Sequence, residues 1–152
     1  MTIDHVNIVV QDLERMVEFY RDKLGLRETK RVTITGEWVA ATVGLSDVHA
    51  DVVYLDLATG PRIELIRYNR PPMQRPAGID KPNAQGLRHM AFRVDDIDAI
   101  VAKLSAAGVK FFSSIQTVPD AQVTYAGGVR KRIVYFQDPE GNLLEFCEYR
   151  AS

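Results

Sequence analysis

Cys147 is the single cysteine among 152 residues. It cannot close an internal disulfide, so nothing in the sequence points to an oxidising compartment. No apolar run approaches the roughly 20 residues that span a bilayer. The opening "MTIDHVNIVV" enters a strand pattern directly, without the basic region and long apolar core of an export signal. An excess of one charge is also missing: 19 Lys and Arg against 20 Asp and Glu give a net charge of -1. The densest basic cluster, Arg130-Lys131-Arg132, is too short to count as a basic tract. Together these shortages remove the electrostatic case for nucleic acid or an anionic membrane as partner. The expectation is a soluble cytoplasmic protein.

Hydrophobic residues at 46% and charged residues at 26% are ordinary globular values. A chain of this length forms one domain by the usual prior and buries roughly two thirds of its unfolded surface. Sliding it by 84 positions (89 minus 5) lays His5 on His89, Asp12 on Asp96, Leu13 on Ile97 and Val17 on Val101. In the first copy Leu13, Met16, Val17, Tyr20 and Leu24 share one helical stripe; in the second Ile97, Ile100, Val101 and Leu104 do. Asp12 and either Asp95 or Asp96 supply N-caps, and a glycine follows each helix in "LGL" and "AGV".

Each copy then reads as strands: "EWVAATVGL", "ADVVYLDL" and "RIELIRY" in the first, "KFFSSIQTV", "RKRIVYFQ" and "NLLEFCEY" in the second. The last two strands join through "ATGP" and "DPEG", turn-forming sequences. The predicted order is β-α-β-β-β, twice. Module one covers 1–68 and module two 87–152, within a single domain spanning 1–152. The connection, 69–86, holds four of the seven prolines.

Two histidines, His5 and His89, head the first strand of each copy, and two acids, Glu64 and Glu145, sit in the last. The His-to-Glu separations are 59 (64 minus 5) and 56 (145 minus 89). Both acids stand among Leu, Ile and Phe, where an ionised carboxylate is costly unless a cation or hydrogen bonds compensate it. Taken alone, a strand histidine is more often a satisfied or half-exposed residue than a ligand, and Glu64 alone could lie on a wet face. The repeat relation lifts the four together and suggests one shared cation. His49, in "LSDVHAD", has no counterpart and reads as a loop residue; Trp38 and Tyr54 read as packing residues. Two imidazoles and two carboxylates suit Zn, Ni, Co, Mn or Fe(II). Such an ion polarises a substrate carbonyl, and a neighbouring glutamate can then move a proton at the adjacent carbon.

The segments "DHVNIVVQDLERMVEFYRDKLGL", "RHMAFRVDDIDAIVAKLSAAGV" and "VYFQDPEGNLLEF" resemble the vicinal oxygen chelate superfamily over nearly the whole chain. That superfamily includes glyoxalase I, methylmalonyl-CoA epimerase, extradiol dioxygenases, and fosfomycin and bleomycin resistance proteins. The resemblance implies an α+β fold in which two paired βαβββ modules form curved mixed sheets around a metal-lined groove. Its ligand pattern falls on His5, Glu64, His89 and Glu145. Glu64 is more like glyoxalase I, because the epimerase branch commonly has glutamine there. The helix "DDIDAIVAKLSAAGVKF" is similar to the epimerases. Strand alternation places Asn7 with His5, and Arg93 with His89, as candidate substrate-binding residues. Arg93 would hold a carboxylate or phosphate. Arg88 and Met90 should point the other way.

The leading expectation is therefore a metal-dependent isomerase, epimerase or lyase of the glyoxalase type. It would act on a small substrate with vicinal oxygens, with Glu145 as first choice for the base and Glu64 as its mirror partner. The alternatives are an Fe(II)-dependent dioxygenase and a non-catalytic drug-binding protein of the bleomycin-resistance type. The family analogy implies a homodimer.

Overall fold

Both predicted helices begin on their aspartates. In the computed structural model, which describes residues 1–122 and 129–151, Asp12 accepts the Arg15 backbone N–H at 3.1 Å and Asp96 accepts that of Ala99 at 2.9 Å. Helix α1 (Leu13–Glu18) runs on into a π-helical turn, Phe19–Lys23. Its stripe buries Leu13, Met16, Val17 and Tyr20. Helix α3 (Ile97–Ala106) buries Ile97 and Leu104 in the same way.

The chain divides into two compact units, 1–76 and 77–152. The first holds a four-stranded sheet of β1 (His5–Val9), β2 (Arg27–Thr35), β3 (His49–Asp56) and β4 (Arg62–Arg70), ordered β1-β4-β3-β2. The second holds β5 (His89–Arg93), β6 (Gln116–Thr117), β7 (Val129–Gln137) and β8 (Leu143–Ala151), ordered β5-β8-β7-β6. In each sheet the first strand runs parallel to the last and the other pairs are antiparallel. Two mixed sheets with helices against them make an α+β fold. Strand alternation gives each sheet a helix-bearing face and an opposite face. In unit one Val53, Leu55, Ile63 and Leu65 are sealed on the helix side, while His5, Asn7, Tyr54 and Glu64 share the other.

The "DPEG" hairpin is tied by one side chain. Asp138, 4% exposed, accepts the backbone N–H groups of Glu140 and Asn142 and the Asn142 side-chain amide. Arg88, whose side chain was expected to turn away from the histidine face, donates to the Gly78 and Lys81 carbonyls at 3.4 Å. It thereby ties the proline-bearing connection to unit two.

Four expectations are corrected. "EWVAATVGL" is not a strand but helix α2 (Glu37–Val43), entered after Gly36 and ended by Gly44 in the left-handed region at φ 70°. Its alanines favour a helix over a pleat. The missing strand is β2, whose charged sequence "RETKRVTIT" hides the pattern. Arg31 there pairs with Glu14 and Glu28, so its charges are satisfied on the sheet surface. In module two "KFFSSIQTV" contributes only the short β6 and a single bridge between Phe111 and Phe136. His49 opens β3 rather than lying in a loop, and Trp38 is 62% exposed rather than packed. Among the described residues no helix is long and apolar enough to cross a membrane.

Candidate functional site

In unit one the parallel pairing sets Asn7 opposite Glu64, so His5 lies one pleat along on the same face. His5 Nδ1 stands 2.8 Å from Asp4 Oδ2. A carboxylate only accepts, so Nδ1 donates, and the bond keeps the Asp4 carboxyl below its usual range. In the neutral ring Nε2 is then left with its lone pair, 3.5 Å from Glu64 Oε2. Two acceptors turned toward one another call for a cation or a proton between them. Glu64 is also held from its other sides. Asn7 Nδ2 donates to Oε2 at 2.7 Å, and Tyr54, its cross-strand partner, donates its hydroxyl to Oε1 at 2.6 Å. That donation, with burial, pushes the Tyr54 phenol up to about 12.

Unit two repeats the arrangement. Ala91 pairs with Glu145, and His89 lies one pleat away, with Nε2 3.3 Å from Glu145 Oε2. Tyr135 is the cross-strand partner of Glu145, and its ring lies 5.0 Å from the His89 ring. Burial, then the Glu145 charge, raises the Tyr135 phenol. Glu145 is the more deeply buried acid, its side chain 4% exposed against 13% for Glu64. Its Oε1 accepts no hydrogen bond. Lys131 Nζ lies 3.4 Å from that oxygen, an ion-pair distance without hydrogen-bond geometry.

The two pairs are therefore equivalent in register. Glu64 and Glu145 are 81 positions apart (145 minus 64), as are Tyr54 and Tyr135 (135 minus 54). Each tyrosine precedes its glutamate by ten residues (64 minus 54, and 145 minus 135). Those tyrosines escaped the sequence reading, which took Tyr54 as packing, although the shared interval of ten was there to be found. Within each unit the described residues bring together a pair, and nowhere three, of the His, Cys, Asp and Glu side chains that would cage an ion.

The donors suit a divalent cation. With ligand bonds of about 2.1 Å, two atoms on one tetrahedral ion stand about 3.4 Å apart, close to the 3.5 and 3.3 Å seen in the two pairs. Glu145 Oε1, which accepts no hydrogen bond, already faces the Lys131 ammonium, so Oε2, 3.3 Å from His89 Nε2, is the oxygen that would share a cation with the histidine. Of the two candidate substrate-binding residues, Asn7 is engaged with Glu64, and Arg93 is exposed with its guanidinium 5.2 Å from the Tyr149 ring centroid. His49 instead meets Asn69 Nδ2 at 3.1 Å, and that amide also donates to Asp51.

Residues 2–146 match the model of the Glyoxalase/Bleomycin resistance protein/Dioxygenase superfamily. The chain belongs to this superfamily. Over 96% of the chain it is 35% identical to the uncharacterized protein YaeR of Escherichia coli, covering 95% of that protein. It is 30% identical to a 2-epi-5-epi-valiolone epimerase of an Actinomyces species, over 99% of the chain and 81% of that protein. A lactoylglutathione lyase of Haemophilus influenzae is 28% identical over the whole chain and 96% of its own length. Among solved structures, a glyoxalase family protein from Bacillus cereus superposes with a TM-score of 0.81 at 28% identity, covering 98% of this chain and 94% of that one. The superfamily relatives thus include both an epimerase and a lyase.

Proposed function

We propose that the protein is a divalent-metal-dependent isomerase, epimerase or lyase that moves a proton beside the carbonyl of a small substrate with vicinal oxygens. The observation that carries this reading is the repeated His–Glu pair, at one register in both sheets, with a buried and incompletely satisfied carboxylate in the second. His5, Glu64, His89 and Glu145 would hold the ion (Ni, Co, Zn, Mn or Fe(II)), and modules 1–68 and 87–152 would work as one domain. The kinship with an epimerase and a lyase supports proton-transfer chemistry. A homodimer in the cytoplasm completes the proposal.

Bound there, such an ion supplies Lewis-acid polarisation of the substrate carbonyl, which acidifies the neighbouring C–H. Glu145 then takes the proton from that carbon onto a carboxylate oxygen. Its burial keeps water from competing for the proton. Returning the proton to a neighbouring carbon completes an isomerisation. In an epimerisation, Glu64 would enter protonated and deliver that proton to the opposite face of the same carbon. Exchange with solvent would then remove the proton from Glu145 and restore the one on Glu64. Asn7 and Tyr54 fix the orientation of Glu64, and Arg93 would anchor an anionic group of the substrate.

The test is elemental analysis of wild type, His5→Ala and His89→Ala after dialysis against metal-free buffer. Circular dichroism would check that each variant folds. Near-stoichiometric metal in wild type and its loss in both variants is the expected result. Wild type that binds none of the five metals when offered them, or variants that keep full occupancy, would overturn the proposal.

A further inference from the structure

On the face of His89 and Glu145, sheet two carries cations at two positions where sheet one has small or apolar residues, while sheet one places Arg62 over Tyr54 instead. Lys131 corresponds to Ala50 (131 minus 81) and Arg93 to Val9 (93 minus 84). Tyr149, by contrast, corresponds to another tyrosine, Tyr68 (149 minus 81). Lys131 is the cross-strand partner of Tyr149, and its Nζ lies 5.7 Å from that ring's centroid. The Arg93 guanidinium lies 5.2 Å from the same centroid. A ring flanked by two cations gains from each, but the cations repel one another. Strand alternation leaves Glu145 as the acid on this face among the described residues of β5, β7 and β8. Lys131 thus stands 3.4 Å from that one carboxylate, and Arg93 adds a second positive charge across the Tyr149 ring.

We propose that Arg93 and Lys131, braced by Tyr149, form an anion subsite that holds a carboxylate or phosphate of the substrate beside Glu145. This rests on the reading of Glu145 as part of the reaction site, and it narrows the substrate to an anionic one. The two cations divide the work by their chemistry. The planar fork of Arg93 matches two oxygens of one group, while Lys131 offers a compact charge close to Glu145.

The subsite is tested on chelator-treated protein, so that no metal competes for the probe. Inorganic phosphate and acetate are titrated in separate calorimetric arms, which distinguishes a phosphate preference from a carboxylate one. Wild type is compared with Lys131→Met, Arg93→Met, Lys131→Arg and the charge control Arg67→Ala. Saturable binding in wild type is expected, weakened about tenfold or more by each methionine variant. Lys131→Arg should restore most of the affinity, and Arg67→Ala should leave it unchanged. Binding of both anions that ignores Lys131→Met and Arg93→Met would overturn the subsite. So would an equal loss in Arg67→Ala, or no saturable binding of either anion by wild type. Should Lys131→Met misfold, Arg93→Met and Lys131→Arg still decide the matter. The metal reading fails separately, on the metal content of His89→Ala.

Discussion

Glu64 and Glu145 stand at one register position in two sheets, yet they live in different company. Glu64 receives hydrogen bonds from Asn7 and Tyr54, while Glu145 lies deeper, beside Lys131, with one oxygen that accepts none. The helix-bearing faces differ as sharply. Asp51 opposite Arg67 in sheet one is matched by Arg132 opposite Glu148 in sheet two, the same cross-strand pair with its charges exchanged. Arg67 is exposed, whereas Glu148 is 1% exposed and bonded to Arg132, Arg150 and the Ile97 backbone N–H. The comparison teaches that backbone pairing carries the repeat. The ladder of N–H and C=O groups is indifferent to side chains, so charge and hydrogen bonding diverge freely around a constant register.

The largest expected effect breaks the helix-side contrast. Glu148→Ala leaves the Ile97 N–H at the start of α3 without its acceptor and leaves Arg132 with Asp98 alone, and should cost about 1–3 kcal/mol in urea-unfolding free energy. Burial opposes ionisation of Glu148, but its N–H and guanidinium donors outweigh it and hold the carboxyl below its ordinary 4.5. The folded pKa is depressed, so the stability it adds is complete above pH 4.5 and lost as pH falls through the folded value. Acid titration of wild type beside Glu148→Ala should show the difference vanish at low pH.

The next effect sharpens the contrast between the glutamates. Tyr54→Phe removes the hydroxyl that fixes Glu64, and should weaken cobalt binding about 10- to 100-fold by visible titration. Tyr135→Phe should weaken it less, because burial rather than a hydrogen bond leads the shift of that phenol. A loss as large in Tyr135→Phe would erase the distinction drawn between the two glutamates.

A third measurement follows the phenols by ultraviolet absorbance. Tyr54 should titrate near 12, above its ordinary 10.0, and that late step should be missing in Tyr54→Phe. Its folded pKa is raised, so its contribution to stability is full below pH 10 and fades as pH rises through about 12. The smallest expected change belongs to Arg67→Ala. On its exposed face that substitution should alter unfolding free energy by no more than about 0.5 kcal/mol, against the larger loss at its counterpart Glu148.

The legible parts of this molecule were those fixed by local chemistry. Asp12 and Asp96 cap their helices because a short carboxylate reaches the orphan N–H groups of the first turn, whatever lies further off. The "DPEG" turn needs only Asp138 and its neighbours. The His–Glu pairs were legible through repetition, before any geometry was known. Helix α2 and strand β2 were not, because β2 is a charged strand fixed by its long antiparallel pairing with β3 rather than by its own pattern. A propensity reading sees Arg27–Thr35 as surface and "EWVAATV" as apolar, and only packing ranks the two.

By itself, then, the sequence determined the doubled β-α-β-β-β plan, the capped helices and the four repeated candidate ligands, because periodicity, caps and repeats are written in neighbouring residues. Tertiary structure alone decided that Tyr54 grips Glu64, that Lys131 stands over a buried and incompletely satisfied Glu145, and that Arg93 and Lys131 share one aromatic ring. The physical reason is strand pairing: register brings side chains far apart in the chain within a few ångströms, and burial then sets what each carboxylate costs and what must compensate it.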